Sequence, residues 1–130
     1  MSAAFSPVFD SLRSILRKHS GALQVKESAQ SYSLCAKTGP ATLKAWGGKL
    51  RSPVIPVAWV EVSKSYVSYH LMGVYGNPKL LAGISPELKA RMQGKTCFHF
   101  KTIDESLFTE LDELTVAGIA AMRKAEYVTD

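Results

Sequence analysis

SYVSYHLMGVYGNPKLLAGISPELKARMQGKTCFHFK, Ser65 to Lys101, is the stretch whose reading decides the fold. Tyr66 to Val74 alternates with the period of a strand. Val67, Tyr69 and Leu71 form one row, and Tyr66, Ser68, His70 and Met72 form the other. A strand with two usable faces belongs near the middle of a sheet. Asn77-Pro78 and Ser85-Pro86 then start two short helices, because a polar side chain can accept from a free backbone N–H and proline at the first helical position loses no hydrogen bond. Gly83 and Gly94 supply the stops. Thr96 to Lys101 returns as a strand, with Phe98 and Phe100 facing one way and Cys97 and His99 the other.

On the amino-terminal side, Ser6-Pro7 uses the same starting device. Val8, Phe9, Leu12, Ile15 and Leu16 follow at helical spacing as one stripe to be buried, and Gly21 stops the helix. From Ala22 to Lys37 the period falls to two, giving a pair of strands joined through Ser28–Ser31. If Leu34 points inward, Ser33, Cys35 and Lys37 share the other face. Thr38-Gly39-Pro40 breaks this pattern. Leu43 to Trp46 reads as a short strand ending at Gly47-Gly48, which is not a phosphate loop because the flanking glycine spacing and the following Ser or Thr are missing. Pro53 and Pro56 place the next strand, Val57 to Val62, at an edge or give it a late start.

On the carboxy-terminal side, Asp104, or a capping box from Thr102 to Glu105, begins the longest helix. Its stripe is Leu107, Phe108, Leu111, Leu114, Gly118, Ile119 and Met122, with Gly118 offering close approach to a neighbour. This element order is α+β: an antiparallel sheet with helices gathered on one face. At 130 residues the chain suits one domain with a real core, residues 1–130.

The balance of 46% apolar and 21% charged residues is that of a globular protein, which argues against disorder. No apolar run approaches the roughly 20 residues of a membrane span. MSAAFSPVFDSL lacks the cationic start and apolar middle of a secretory signal, so a cytoplasmic protein is expected. Cys35 and Cys97 lie far apart and outside any CxxC pattern, as two reduced thiols would. The net charge of +5 is uneven: residues 1–65 hold nine Lys or Arg against three Asp or Glu, and the remainder seven against eight. Lys37, Lys44, Lys49, Arg51 and Lys64 could attract nucleic acid, but along the chain they are scattered and lack interleaved aromatics, so a solvated surface is the simpler reading.

YVSYHLM (66–72), LLAGISPELKARMQGK (80–95) and CFHFK (97–101), followed by an acid-started helix, resemble the YdhG-like family of small bacterial proteins, a domain of unknown function. The resemblance is strongest over Val60 to Leu114. It implies a two-layer α+β sandwich, and it brings an alternative function, since some relatives are proposed as frataxin-like iron chaperones. Frataxin-type binding gathers acids on a helix. Here the first helix carries Arg13, Arg17 and Lys18 with only Asp10, and the acids Glu105, Glu110, Asp112 and Glu113 lie on the last. The family supplies no catalytic residues to transfer.

His70, Cys97 and His99 are the residues best suited to chemistry. Imidazole and thiolate suit zinc or iron if the two strands are neighbours, and Cys35 could join them. No acid lies nearby in sequence to orient either imidazole for a cysteine nucleophile, so an enzyme is not expected. Trp46, Trp59, Tyr66, Tyr69, Tyr75 and Met72 supply aromatic and soft surface for the side of the sheet without helices. The expectation is a binding module that holds a small molecule or a protein partner on that open face, around Trp59, Tyr66, His70, Cys97 and His99. A homodimer through the same face is its structural counterpart.

Overall fold

The apolar stripe of the first helix and that of the last need a common surface, and the sheet provides it. The computed structural model describes residues 5–21, 23–94 and 96–129, without the side chains of 75, 76 and 78. The first four residues of MSAAFSPVFDSL, Lys95 of the quoted motif and the Tyr75 side chain therefore lie outside the described part.

Helix α1 (Ser6–Lys18) buries Val8, Phe9, Leu12, Ile15 and Leu16, as its spacing requires. Strands β1 (Gln24–Ser28) and β2 (Ser31–Thr38) form the expected hairpin. After helix α2 (Pro40–Ala45) come β3 (Val54–Val62), β4 (Val67–Leu71), the short helix α3 (Met72–Gly76), a 3-10 helix (Pro78–Gly83) and α4 (Pro86–Lys89). Then β5 (Met92–Gln93), β6 (Cys97–Phe100), α5 (Glu105–Lys124) and β7 (Val128–Thr129) complete the chain.

Every strand pairing is antiparallel, in the order β1-β2-β3-β4-β6-β5, and β7 adds to β2 beyond the end of β1. Tyr32, Leu34, Ala58, Val60, Val67, Tyr69, Leu71, Phe98 and Phe100 are buried on one face, under the stripes of α1 and α5. This is the expected α+β two-layer sandwich, with β4 in mid-sheet. Buried Tyr69 donates its hydroxyl to Thr115 Oγ1 (2.6 Å), whose own hydroxyl donates to the Leu111 carbonyl (2.7 Å), so no buried polar atom of this pair is left without a partner.

Several local expectations are corrected. Leu43–Trp46 is not a strand: Pro40 starts α2 as proline starts α4, with extended Gly39 before it. Gly39 is held there because a side chain would run into the backbone of residues 126–128. β4 stops at Leu71, and Met72 belongs to α3, packed against the core rather than on the open face. Ser6 and Asn77 give no capping hydrogen bond, whereas Ser85 accepts from Leu88 N–H and Asp104, not Thr102, caps α5 by accepting from Leu107 N–H (3.1 Å). Gly94, with φ +80, turns the β5–β6 hairpin instead of ending a helix. β3 starts at Val54, before Pro56, but β4 reaches only as far as Ala58. Pro56 thus lies where one edge of β3 is free and where the β2 register shifts between Leu34 and Cys35, which is where a residue without an N–H is tolerated.

Candidate functional site

Ladder register brings the expected residues together. On the face opposite the helices, Ser33, Trp59, His70, Cys97 and Gln93 form one row across β2, β3, β4, β6 and β5. Ser31, Glu61, Ser68 and His99 form the next. Among the described residues no helix covers these rows, and Trp59, Tyr66, His70, Cys97 and His99 remain half-buried where their helix-facing neighbours are fully buried.

The rings shield one another. Trp59 and His70 stack with centroids 4.5 Å apart and planes 8° from parallel, and Tyr66 and His99 stack at 3.8 Å and 14°. Rings lying flat side by side could not come so close. Each pair therefore meets face to face, in the stacked arrangement that aromatic rings favour when offset.

His70 Nε2 is the hub of the polar contacts. It lies 3.2 Å from Ser68 Oγ, 3.6 Å from Cys97 Sγ and 3.4 Å from Glu61 Oε1. Burial lowers the His70 pKa, against the opposing pull of Glu61, and burial lowers that of His99 as well. Burial, helped by the Glu61 carboxylate, pushes the Cys97 thiol up to about 11, so it stays protonated at neutral pH. A nucleophile–base–acid relay needs the carboxylate on one imidazole nitrogen and the nucleophile on the other. Here Glu61, Ser68 and Cys97 all crowd Nε2, and this set does not form that relay.

Among the described residues, no three His, Cys, Asp or Glu side chains are placed to hold a metal ion. Cys35 does not join the set: it is buried on β2, with β3 between it and β4, and both cysteines are free thiols. Trp46 ends α2, Tyr69 is buried on the helix side and Met72 lies in α3, which leaves Trp59 and Tyr66 as the described aromatic residues of that group on the open face. Ser33 stands on the face that alternation from Leu34 gives it, whereas Glu61 was missed, although alternation from Trp59 would have put it there.

The arrangement defines a class: an α+β sandwich with a bare, ring-bearing sheet face. Comparison of the chain with protein-family models, with curated proteins and with solved structures found no match in any of the three. The resemblance to YdhG-like proteins accordingly rests on its motifs. None of the helices among the described residues is long and apolar enough to cross a membrane.

Proposed function

We propose that this chain is a non-enzymatic, cytoplasmic binding module of the YdhG-like family, which takes a flat, unsaturated ligand against the rings of its open sheet face. The observation that carries this reading is the pair of ring stacks, Trp59–His70 and Tyr66–His99, on the side that no helix covers among the described residues. In a stack of two rings each ring keeps one face off its partner, and that outer face is the one a further ring would stack upon. Small Ser33 beside Trp59 leaves room for it.

A second copy of the chain is the competing occupant. The patch from Ser33 to Cys97 and from Trp59 to Tyr66 measures roughly 14 Å by 13 Å, or about 200 Å². A stable protein interface needs about 800 Å² from each partner, which favours the small, flat ligand. Iron or zinc handling draws less support, because Glu110 is hydrogen-bonded to Ser85 and Asp112 is paired with Lys18 and His19, so half of the acids noted on α5 are already engaged.

Trp46→Phe leaves Trp59 as the one indole, whose fluorescence then reports on the face. Adenosine and riboflavin are suitable probes. Saturable quenching that weakens in Tyr66→Ala and His99→Ala is expected, with one mass by light scattering throughout. No quenching by any planar probe, or a dimer that Trp59→Ala splits, would overturn the proposal. Elemental analysis of protein purified without a histidine tag, followed by iron titration, is expected to show substoichiometric metal and no heat of binding.

A further inference from the structure

The rings of the open face have cationic neighbours that chain order conceals. Lys26 pairs with Ser33, which puts it at the β1 end of the row containing Trp59 and His70. The Arg91 carbonyl accepts from His99 N–H (2.8 Å), which sets Arg91 beside His99 at the opposite edge. Val67 pairs with Phe100, so the ladder brings Tyr66 next to Lys101. All three cations are exposed. The carboxylate in these rows is Glu61, already facing His70.

From Lys26 on β1 to Arg91 beside β5 is five strand steps, roughly 24 Å. That exceeds the width of a single base or nucleoside several-fold. Aromatic faces between flanking cations complement a chain of flat bases joined by phosphates, and a bare antiparallel sheet is a recurrent platform for unstacked bases. A duplex hides its base faces and cannot use the rings. The net charge of +5 adds a long-range attraction for such a polyanion.

Building on the ring-stacking reading above, we propose that the open face binds single-stranded nucleic acid. Bases stack on Trp59 and Tyr66, and phosphates meet Lys26, Arg91 and Lys101. Glu61 sits among them as a repulsive group that limits affinity.

Fluorescence anisotropy with labelled oligothymidine, oligouridine and a duplex of the same length tests this. Single strands should bind more tightly than the duplex, with log affinity falling against log salt at a slope near −2, about −0.7 for each of three phosphate contacts. Lys26→Ala with Lys101→Ala should flatten that slope; both side chains are exposed, so folding is not at stake. Trp59→Ala should weaken binding about tenfold or more, and Glu61→Gln should strengthen it up to about fivefold. Quenching by adenosine or riboflavin without any response to the oligonucleotides would overturn this inference and leave the ring-face reading standing, whereas no response to either would overturn both. Salt-insensitive binding, equal affinity for duplex, or a self-associating face that ignores oligonucleotides would also overturn it.

Discussion

Gly73 and Gly118 bring α3 and α5 into backbone contact, and the two positions are not equivalent. A methyl group on Gly73 would run into the Gly118 carbonyl, which the helix holds rigidly, whereas one on Gly118 would sit 3.8 Å from Gly73 Cα, an ordinary contact. Gly73→Ala should therefore destabilise by about 3 kcal/mol. Gly118→Ala should be neutral or stabilise by up to about 1 kcal/mol, because alanine is the better helix former. Urea unfolding of both variants checks this, and equal losses would mean that the two backbones do not meet as described. The sequence offered Gly118 as a point of close approach, but its partner is Gly73, which the strand pattern had placed inside a longer β4. The alternation ran on to Val74 by composition alone, and the need to bring backbone against backbone ends the strand at Leu71.

Ser85 shows how a short element is held. Its hydroxyl accepts from Leu88 N–H (3.2 Å) and donates to Glu110 Oε2 (2.7 Å), while its own N–H donates to Glu110 Oε1 (2.8 Å). One residue thus caps α4 and ties it to α5. Ser85→Ala should cost about 1–2 kcal/mol in thermal or urea unfolding, more than a solvent-facing cap of the same kind. The cap was legible in Ser85-Pro86; the tie to Glu110 was not, since it joins residues 25 apart in the chain. Helix α2 shows the reverse failure. Gly39-Pro40 carried the same start signal, but the short apolar run after it fits a strand or a helix equally well. β5 and β7, two residues each, have no period of their own, and form because β6 and β2 offer free edges.

Across the molecule, α1 and α5 are clamped at one end by Asp112, which pairs with Lys18 (2.7 Å) and with His19. Burial alone would raise the Asp112 carboxyl, but the Lys18 and His19 hydrogen bonds outweigh it and hold the group below the usual carboxylate range. A carboxyl depressed on folding adds stability above its unfolded value, near 4, and that contribution is lost as pH falls through the lower, folded value. Asp112→Asn should thus cost about 1 kcal/mol or less near pH 7, and the two proteins should converge at acid pH. Curves that stay parallel down to pH 2 would remove the clamp from the ledger of stabilising contacts. The same long-range assembly makes the open face: the ladder sets rings on β3, before β4 and on β6 between register positions of cations on β1 and at the β5 edge, although the chain runs from residue 26 to residue 101 between the first and the last.

By itself the sequence determined which side of each long element is buried and which is left out, because periods of two and 3.6 are local properties of the backbone. That alone put His70 on the polar side of its strand and Cys97 and His99 on one side of theirs; the pairing of β4 with β6 made these one face. Only the tertiary structure decided that Trp59 stacks on His70, that Glu61 reaches the same imidazole nitrogen, and that Lys26 and Arg91 flank the rings. Strand order and register come from pairing between distant segments, and no single segment encodes its partner.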